Sequence, residues 1–186
     1  MLQRKVCRKV LPARVRVVAR HLPLEPPSDG AAGDADTRLR AWASRVLALR
    51  RTSDLVVLDL PPQGGASLAA ALALADLFVI PVTPGGAELT ATRRALRRLD
   101  QARATRKGRP LDCVLVPNRL DRRTAIGRAL PHTLAELGEA VGPTLRQRAA
   151  QLDAYTAGTW VGATAPESEA HHEVQALAKF LAGRLE

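Results

Sequence analysis

The chain has 186 residues, 46% of them hydrophobic, which is long and apolar enough for one α/β domain with a buried core. Its formal net charge of +10 favours a polyanionic partner such as nucleic acid, although an arginine-rich composition throughout would give the same excess. No apolar run is long enough to cross a bilayer, and no secretory signal pattern follows the basic N-terminus, so a cytoplasmic location is expected.

The cysteines and histidines suggest neither a disulfide framework nor a metal site. Cys7 and Cys113 are the only cysteines and lie far apart in the sequence. Cys113 belongs to the apolar run LDCVLVP and is predicted to be a small core residue. His171 and His172 are adjacent, and neighbours on a helix point in different directions, so metal binding by this pair is not expected.

The first third of the chain shows little hydrophobic periodicity until a helix is predicted near residue 36. Residues 1–14 are basic, 15–20 are predicted as a short strand, and a loop rich in Pro, Gly and Asp follows. A helix is predicted to start near Asp36, with one apolar face formed by Leu39, Trp42, Ala43, Val46 and Leu47. The predicted organisation is therefore an N-terminal segment over 1–36 and a domain over 37–186.

The remainder alternates between strands and helices. Continuous apolar runs over 54–60, 76–82 and 111–117 predict strands buried on both faces, and 144–148 is predicted as a short strand. Helices are predicted over 67–75, 89–106, about 126–137 and 168–185. This alternation predicts an α/β fold, a doubly wound parallel sheet with helices on both faces. Ligands of such sheets bind in the loops beyond the C-terminal ends of the strands.

Asp59 ends the first of these apolar runs. A carboxylate there is costly to bury unless it binds a cation or backbone donors. Four apolar residues followed by Asp at the end of a strand form the Walker B arrangement, in which the Asp helps to hold Mg²⁺, often through water, beside nucleotide phosphates. The alternative is an Asp that only caps the following turn.

Four segments in order resemble the ParA/MinD family of deviant-Walker partition ATPases, and especially its small plasmid-partition branch. They are LVVLDLPPQGG, LADLFVIPVTPGGAEL, LVPNRLDRRTAIGRAL and the tail that begins LRQRAAQLD, and they span about residues 37–186. The resemblance implies an incomplete P-loop NTPase-like sheet of the SIMIBI class. It also implies ATP and Mg²⁺ as cofactors and plasmid or chromosome segregation as the role.

The resemblance implies roles for individual residues as well. Asp59 would match the Walker B aspartate and would be both a catalytic residue and a Mg²⁺ ligand. The residues that would surround the nucleotide, first in the γ-phosphate switch loop and then at the adenine base, are Pro61, Pro62, Gly64, Gly65, Asn118 and Arg119. Leu60 departs from the Thr that is common after the Asp in this family.

The phosphate-binding loop of this family, K-G-G-x-G-K-[ST], is missing, since no Gly-Lys pair occurs in the sequence. By the resemblance, residues 15–20 would match the family's third strand, and the loop would lie upstream of Met1. The prediction is an N-terminally truncated chain that does not hydrolyse ATP alone. A start codon assigned too late, a decayed gene copy and a genuine pseudo-ATPase remain open as explanations.

Two groups of basic residues are candidates for DNA binding. The first lies on the predicted helix 89–106, where the spacing of Arg93, Arg94, Arg97 and Arg98 predicts one broad polar face opposite Leu89, Leu96 and Leu99. This face is predicted to be extended by Arg103, Arg106, Lys107 and Arg109. The second follows the 111–117 run, at Arg119, Arg122, Arg123 and Arg128. The resemblance implies non-specific double-stranded DNA, a ParB-like protein and a second copy of the chain as partners.

Three other interpretations remain open. The arginines could form only a solvated face. The chain could be a non-enzymatic module that binds DNA or a ParB-like partner. A MinD-like attachment to membranes is disfavoured, because the tail EVQALAKFLAGRLE carries few cations. Location at the nucleoid would follow from DNA binding.

Overall fold

The computed structural model describes residues 32–60, 66–108 and 110–185. The chain divides between Ala75 and Asp76 into two compact units. The strand predicted at 15–20 and the switch-loop residues Pro61, Pro62, Gly64 and Gly65 lie outside the described residues. None of the helices in these three ranges is both long and apolar enough to cross a membrane.

The first unit contains helix α1 over Ala32–Arg50 and helix α2 over Ala66–Leu74. The apolar face predicted for α1 is confirmed for Trp42 and Val46, which are buried in one cluster with Ala71 of α2. The prediction is wrong for Leu47, which is 45% exposed. Helix α1 begins before the N-cap predicted at residue 36, since the alanine-rich sequence upstream is compatible with helix.

The buried strand predicted over 54–60 is wrong. Residues 55–60 have no regular secondary structure, and Val57 is 79% exposed. Leu58 and Leu60 pack on the cluster around Trp42, whereas Asp59 is exposed. An apolar run forms a strand only beside a hydrogen-bonded neighbour, and the first unit has no strand among its described residues.

A three-stranded parallel sheet organises the second unit. Strand β1 spans Leu77–Val82, β2 spans Asp112–Pro117 and β3 spans Ala140–Val141, in the order β1-β2-β3. Along β1 and β2 the register joins Val82 to Pro117, so the two strands end side by side. The α/β fold with a parallel sheet is therefore confirmed, and the strands predicted over 76–82 and 111–117 are both present. The burial on both faces predicted for 76–82 is wrong, because β1 is mostly half-buried at one end of the described sheet, and Pro81 is exposed.

Five helices complete the described part of the second unit. They are α3 over Gly86–Thr105, α4 over Ala125–Ala135, α5 over Ala149–Thr156, α6 over Val161–Thr164 and α7 over Glu169–Ala182. The predicted helices are confirmed to within a few residues at their ends. Residues 144–148 form no strand; they contribute one parallel bridge, between Leu120 and Arg146.

The core of the second unit surrounds β2. Cys113, Val114 and Leu115 are completely buried, and so are Leu99 of α3 and Leu134 of α4. The apolar run over 111–117 is thus buried as predicted, because helices and neighbouring strands cover it.

The burial of Cys113 allows a test of this core. Burial raises the pKa of the Cys113 thiol to about 12. Because the thiolate is the reactive form, we expect Cys113 in a Cys7→Ser variant to resist iodoacetamide at about pH 8 while the chain is folded and to react in guanidinium chloride. Mass spectrometry would measure the alkylated fraction, and rapid alkylation of the folded chain would contradict the burial of β2.

Candidate nucleic-acid interface

Helix α3 presents a broad arginine face to solvent. Four of its residues are exposed and have no carboxylate partner among the described residues; they are Arg93, Arg94, Arg97 and Arg98. At 100° per residue they span an arc of about 140°, and the buried Thr92 and Leu99 lie on the opposite side. We call these four residues the α3 arginine face. The arrangement predicted from their spacing is confirmed.

Arg103 does not belong to this face, so its predicted place as an extension of the face is wrong. Its Nε donates to the carbonyl oxygen of Leu111 at 2.9 Å, and its Nη2 donates to Glu139 Oε2 at 3.1 Å. Hydrogen bonding to Glu139 raises the pKa of the Arg103 guanidinium. The helical period explains the error, because residue 103 falls on the same side of α3 as the buried Leu99. Arg103 therefore holds α3 against the segments before β2 and β3.

The loop after β2 begins with Asn118, beside the C-terminal ends of both β1 and β2. Its backbone N–H donates to the Val82 carbonyl oxygen at 2.8 Å, and its Oδ1 accepts from the Arg119 N–H at 2.9 Å. Arg119 has a φ of 51°, in the left-handed region. The predicted adenine contact by Asn118 and Arg119 stays a prediction, but both residues lie in the loop where ligands of parallel sheets bind.

Hydrogen bonds fix the next turn and the start of α4. Thr124 caps α4, since its Oγ1 accepts from the Gly127 N–H at 3.1 Å and donates to the Asp121 carbonyl oxygen at 2.9 Å. Arg128 Nη1 donates to the carbonyl oxygens of Arg122 and Arg123 at 3.2 Å and 2.9 Å. These contacts hold residues 121–124 in one conformation and thereby position Arg122 and Arg123, the second predicted DNA-binding pair.

Arg122 and Arg123 line an open cleft of about 520 Å³. The other residues that line it are Leu120, Asp121, Arg146, Gln147 and Arg148. We call it the arginine cleft. Its guanidinium groups differ in their partners: Arg123 binds Asp121 at 2.8 Å, and Arg148 binds Glu173 at 2.7 Å. Arg122 is exposed, and its guanidinium has no partner within the described ranges.

The ion pair between Asp121 and Arg123 can be tested by measuring the titration of the Asp121 carboxyl. Hydrogen bonds from Arg123 hold the pKa of Asp121 at about 2, below the ordinary 3.8. A depressed folded-state pKa favours the folded chain above pH 3.8, and this contribution is lost as the pH falls through about 2. We expect carboxyl NMR to give a midpoint near 2 for Asp121, returning towards 3.8 in Arg123→Gln but not in Arg94→Gln. A midpoint near 3.8 in the unaltered chain would show that the pair does not form.

Arg146, Arg148 and Glu173 are functional candidates that sequence reasoning missed. The Arg146 N–H donates to Glu173 Oε2 at 2.9 Å, and Arg148 Nη2 donates to Glu173 Oε1 at 2.7 Å. A signal was present, because two arginines two residues apart follow Leu145 at the C-terminal edge of the sheet. The rule that favoured the loop after β2 applies equally to this segment.

Asp59 is the one member of the predicted Mg²⁺ and nucleotide site in the first unit that the structure describes. Its carboxylate is exposed and ends no strand, so its catalytic and metal-binding roles stay predictions. Within residues 32–60, 66–108 and 110–185, no group of three or more His, Cys, Asp or Glu side chains is placed to hold a metal ion. His171 is buried, with its Nδ1 2.5 Å from the Pro166 carbonyl oxygen and its ring edge-on to Trp160.

The architecture of the chain is shared with solved structures. No protein-family model matches the sequence. The MinD cell division protein of Aquifex aeolicus and its MinC:MinD complex each match with a TM-score of 0.63 at 15% identity. Each match covers 78% of this chain, against 61% of the MinD chain and 59% of the chain in the complex. The fold is thus similar to the α/β P-loop NTPase fold of MinD.

A curated relative adds a likeness in sequence. The protein named "Maintenance of carboxysome distribution protein A", from Halothiobacillus neapolitanus, is 33% identical over 110 residues. The match covers 58% of this chain and 50% of the relative, so the chain spans about half the length of the curated relative it matches.

Proposed function

We propose that this chain is a ParA-like DNA-partition protein that holds non-specific double-stranded DNA through the α3 arginine face. The observation that carries the proposal is the set of four exposed guanidinium groups on one side of α3, without carboxylate partners among the described residues. Such groups bind phosphates without regard to base sequence, because each contact releases condensed counterions. The motifs that resemble the small plasmid-partition branch support the same assignment.

The proposal includes partners. By analogy with the family, ATP would join two subunits on DNA, and a ParB-like protein would stimulate hydrolysis and release. Two likenesses favour a positioning role with a protein partner: the relative is named for the distribution of a cellular body, and one matching structure is a MinC:MinD complex. A protein with this role would be cytoplasmic and associated with the nucleoid.

Matched arginine variants test the DNA-binding surface. In fluorescence anisotropy with a labelled duplex of about 30 base pairs, we expect Arg94→Gln/Arg97→Gln to weaken binding about tenfold or more. The control Arg45→Gln/Arg51→Gln removes the same charge from exposed positions in and just after α1 and should change affinity less than about twofold. Equal losses in the two variants would mean that net charge, rather than the α3 arginine face, attracts DNA.

A second candidate is a non-enzymatic pseudo-ATPase that binds DNA or a ParB-like partner. It is favoured by the exposed position of Asp59, which ends no strand among the described residues. Isothermal titration of the purified chain with Mg²⁺ and ATP separates the two candidates. Micromolar affinity for ATP would contradict the pseudo-ATPase, whereas DNA binding without measurable ATP binding would favour it.

A further inference from the structure

Helix α5 carries two exposed apolar side chains on one side. Leu152 is 66% exposed and Tyr155 is 80% exposed. They are three residues apart, so they lie on the same face of the helix. The opposite side of α5 is packed against the core, because Ala154 is buried in one cluster with Val161 and Ala170. Leu152 and Tyr155 are therefore not needed for the packing of α5 onto α6 and α7.

This apolar face continues the arginine cleft. Arg148 lines the cleft and is also the N-cap of α5. Residues 148, 152 and 155 are spaced i, i+4 and i+7, which places them in one line along the helix. The line from Arg148 to Tyr155 is about 10 Å long at 1.5 Å per residue. We call the two exposed apolar residues on this line, Leu152 and Tyr155, the α5 stripe.

The arginine cleft keeps an excess of positive charge after its internal ion pairs are counted. Four guanidinium groups, those of Arg122, Arg123, Arg146 and Arg148, are offset by three carboxylates, those of Asp121, Glu169 and Glu173. One positive charge remains, and Arg122 carries a guanidinium without a carboxylate partner among the described residues. No side chain caps the N-terminus of α5, so the positive end of its helix dipole adds to the same field.

We propose that the arginine cleft and the α5 stripe together form a docking surface for an acidic amphipathic segment of a partner protein. Carboxylates of the segment would bind in the cleft, and its apolar residues would pack on Leu152 and Tyr155. This occupant matches both halves of the surface, since ion pairs fix the register and buried apolar area supplies affinity. The surface is small, so the interaction is expected to be weak and transient.

Two other occupants fit less well. Duplex DNA would match the arginines, but it offers nothing apolar to cover the exposed Leu152. A second copy of the chain in a two-fold dimer would place one arginine cleft near another, and like charges would repel. The acidic amphipathic segment is the occupant that avoids both difficulties.

A labelled Leu/Glu peptide of about 18 residues, with leucines at helical spacing, is the probe. In anisotropy measurements with the full chain, we expect Leu152→Ser/Tyr155→Ser to weaken peptide binding about tenfold and Arg122→Gln about threefold. The control Arg94→Gln/Arg97→Gln should bind the peptide within about twofold of the unaltered chain, since the α3 arginine face lies outside the cleft.

Measurements on the Leu152→Ser/Tyr155→Ser variant distinguish the acidic segment from duplex DNA and from a second copy of the chain. The Leu152→Ser/Tyr155→Ser variant should bind duplex DNA as the unaltered chain does, because the changes remove no charge. Peptide binding that survives the loss of both apolar side chains would overturn the proposal and leave a simple polyanion site. Loss of a concentration-dependent dimer in the same variant, measured by sedimentation, would also overturn it in favour of self-association. Thermal melting confirms that each variant is folded, which is expected because both positions are exposed.

Discussion

The Gly127→Ala variant should lose about 1–3 kcal/mol of unfolding free energy and the fixed geometry of the loop before α4. A Cβ at residue 127 would overlap the backbone carbonyl oxygen of Asp121 and would lie 2.7 Å from Thr124 Oγ1. The carbonyl oxygen belongs to the backbone and the hydroxyl is the α4 cap, so neither can move without breaking the hydrogen bonds at residues 121–124. Denaturation in urea, followed by circular dichroism, measures the loss.

The control for this variant is Gly86→Ala, in the first turn of α3. A Cβ there would meet no atom within 4 Å. Since alanine also reduces the entropy of the unfolded chain, Gly86→Ala should be neutral or slightly stabilising. In Gly127→Ala the Asp121 carboxyl should also titrate nearer its ordinary pKa, because the pair with Arg123 depends on the loop. Equal stability of the two variants would contradict the close packing at the start of α4.

The Leu134→Ala variant should have the largest effect on stability, about 2–5 kcal/mol. Leu134 is completely buried on α4, in the core around β2. Removing its methyl groups leaves a cavity whose walls are held by the sheet, so little relaxation is expected.

The matched control for the core is Leu152→Ala, which removes the same atoms from a side chain that is 66% exposed. We expect it to change the free energy of unfolding by less than about 0.5 kcal/mol. If Leu134→Ala cost no more than Leu152→Ala in urea denaturation, α4 would not pack on β2 as described.

The second unit was largely predictable because its apolar runs and helical periods are long. The run over 111–117 is apolar at nearly every position, which is typical of a strand covered on both faces. The α3 arginine face was predictable for the same reason, since Thr92 and Leu99 fix which side of α3 is buried. Here a local pattern and the tertiary structure agree.

The failures have physical causes beyond local pattern. The run over 54–60 looks like a buried strand, but pairing depends on neighbours that the run does not contain. The helical period places Arg103 on the buried side of α3, but only the fold brings its partner Glu139 to it. The arginine cleft joins residues 120–123 to 146–148, which are distant in sequence and meet through the bridge between Leu120 and Arg146.

The salt dependence of duplex DNA binding tests the central claim most directly. If the four guanidinium groups of the α3 arginine face contact phosphates, the logarithm of the binding constant should fall with the logarithm of salt concentration with a slope of about −3 to −4 or steeper. A variant with glutamine at all four positions, 93, 94, 97 and 98, should reduce that slope by about three. A slope that is the same in both chains, or no binding at low salt, would contradict the proposal that this chain holds DNA on α3.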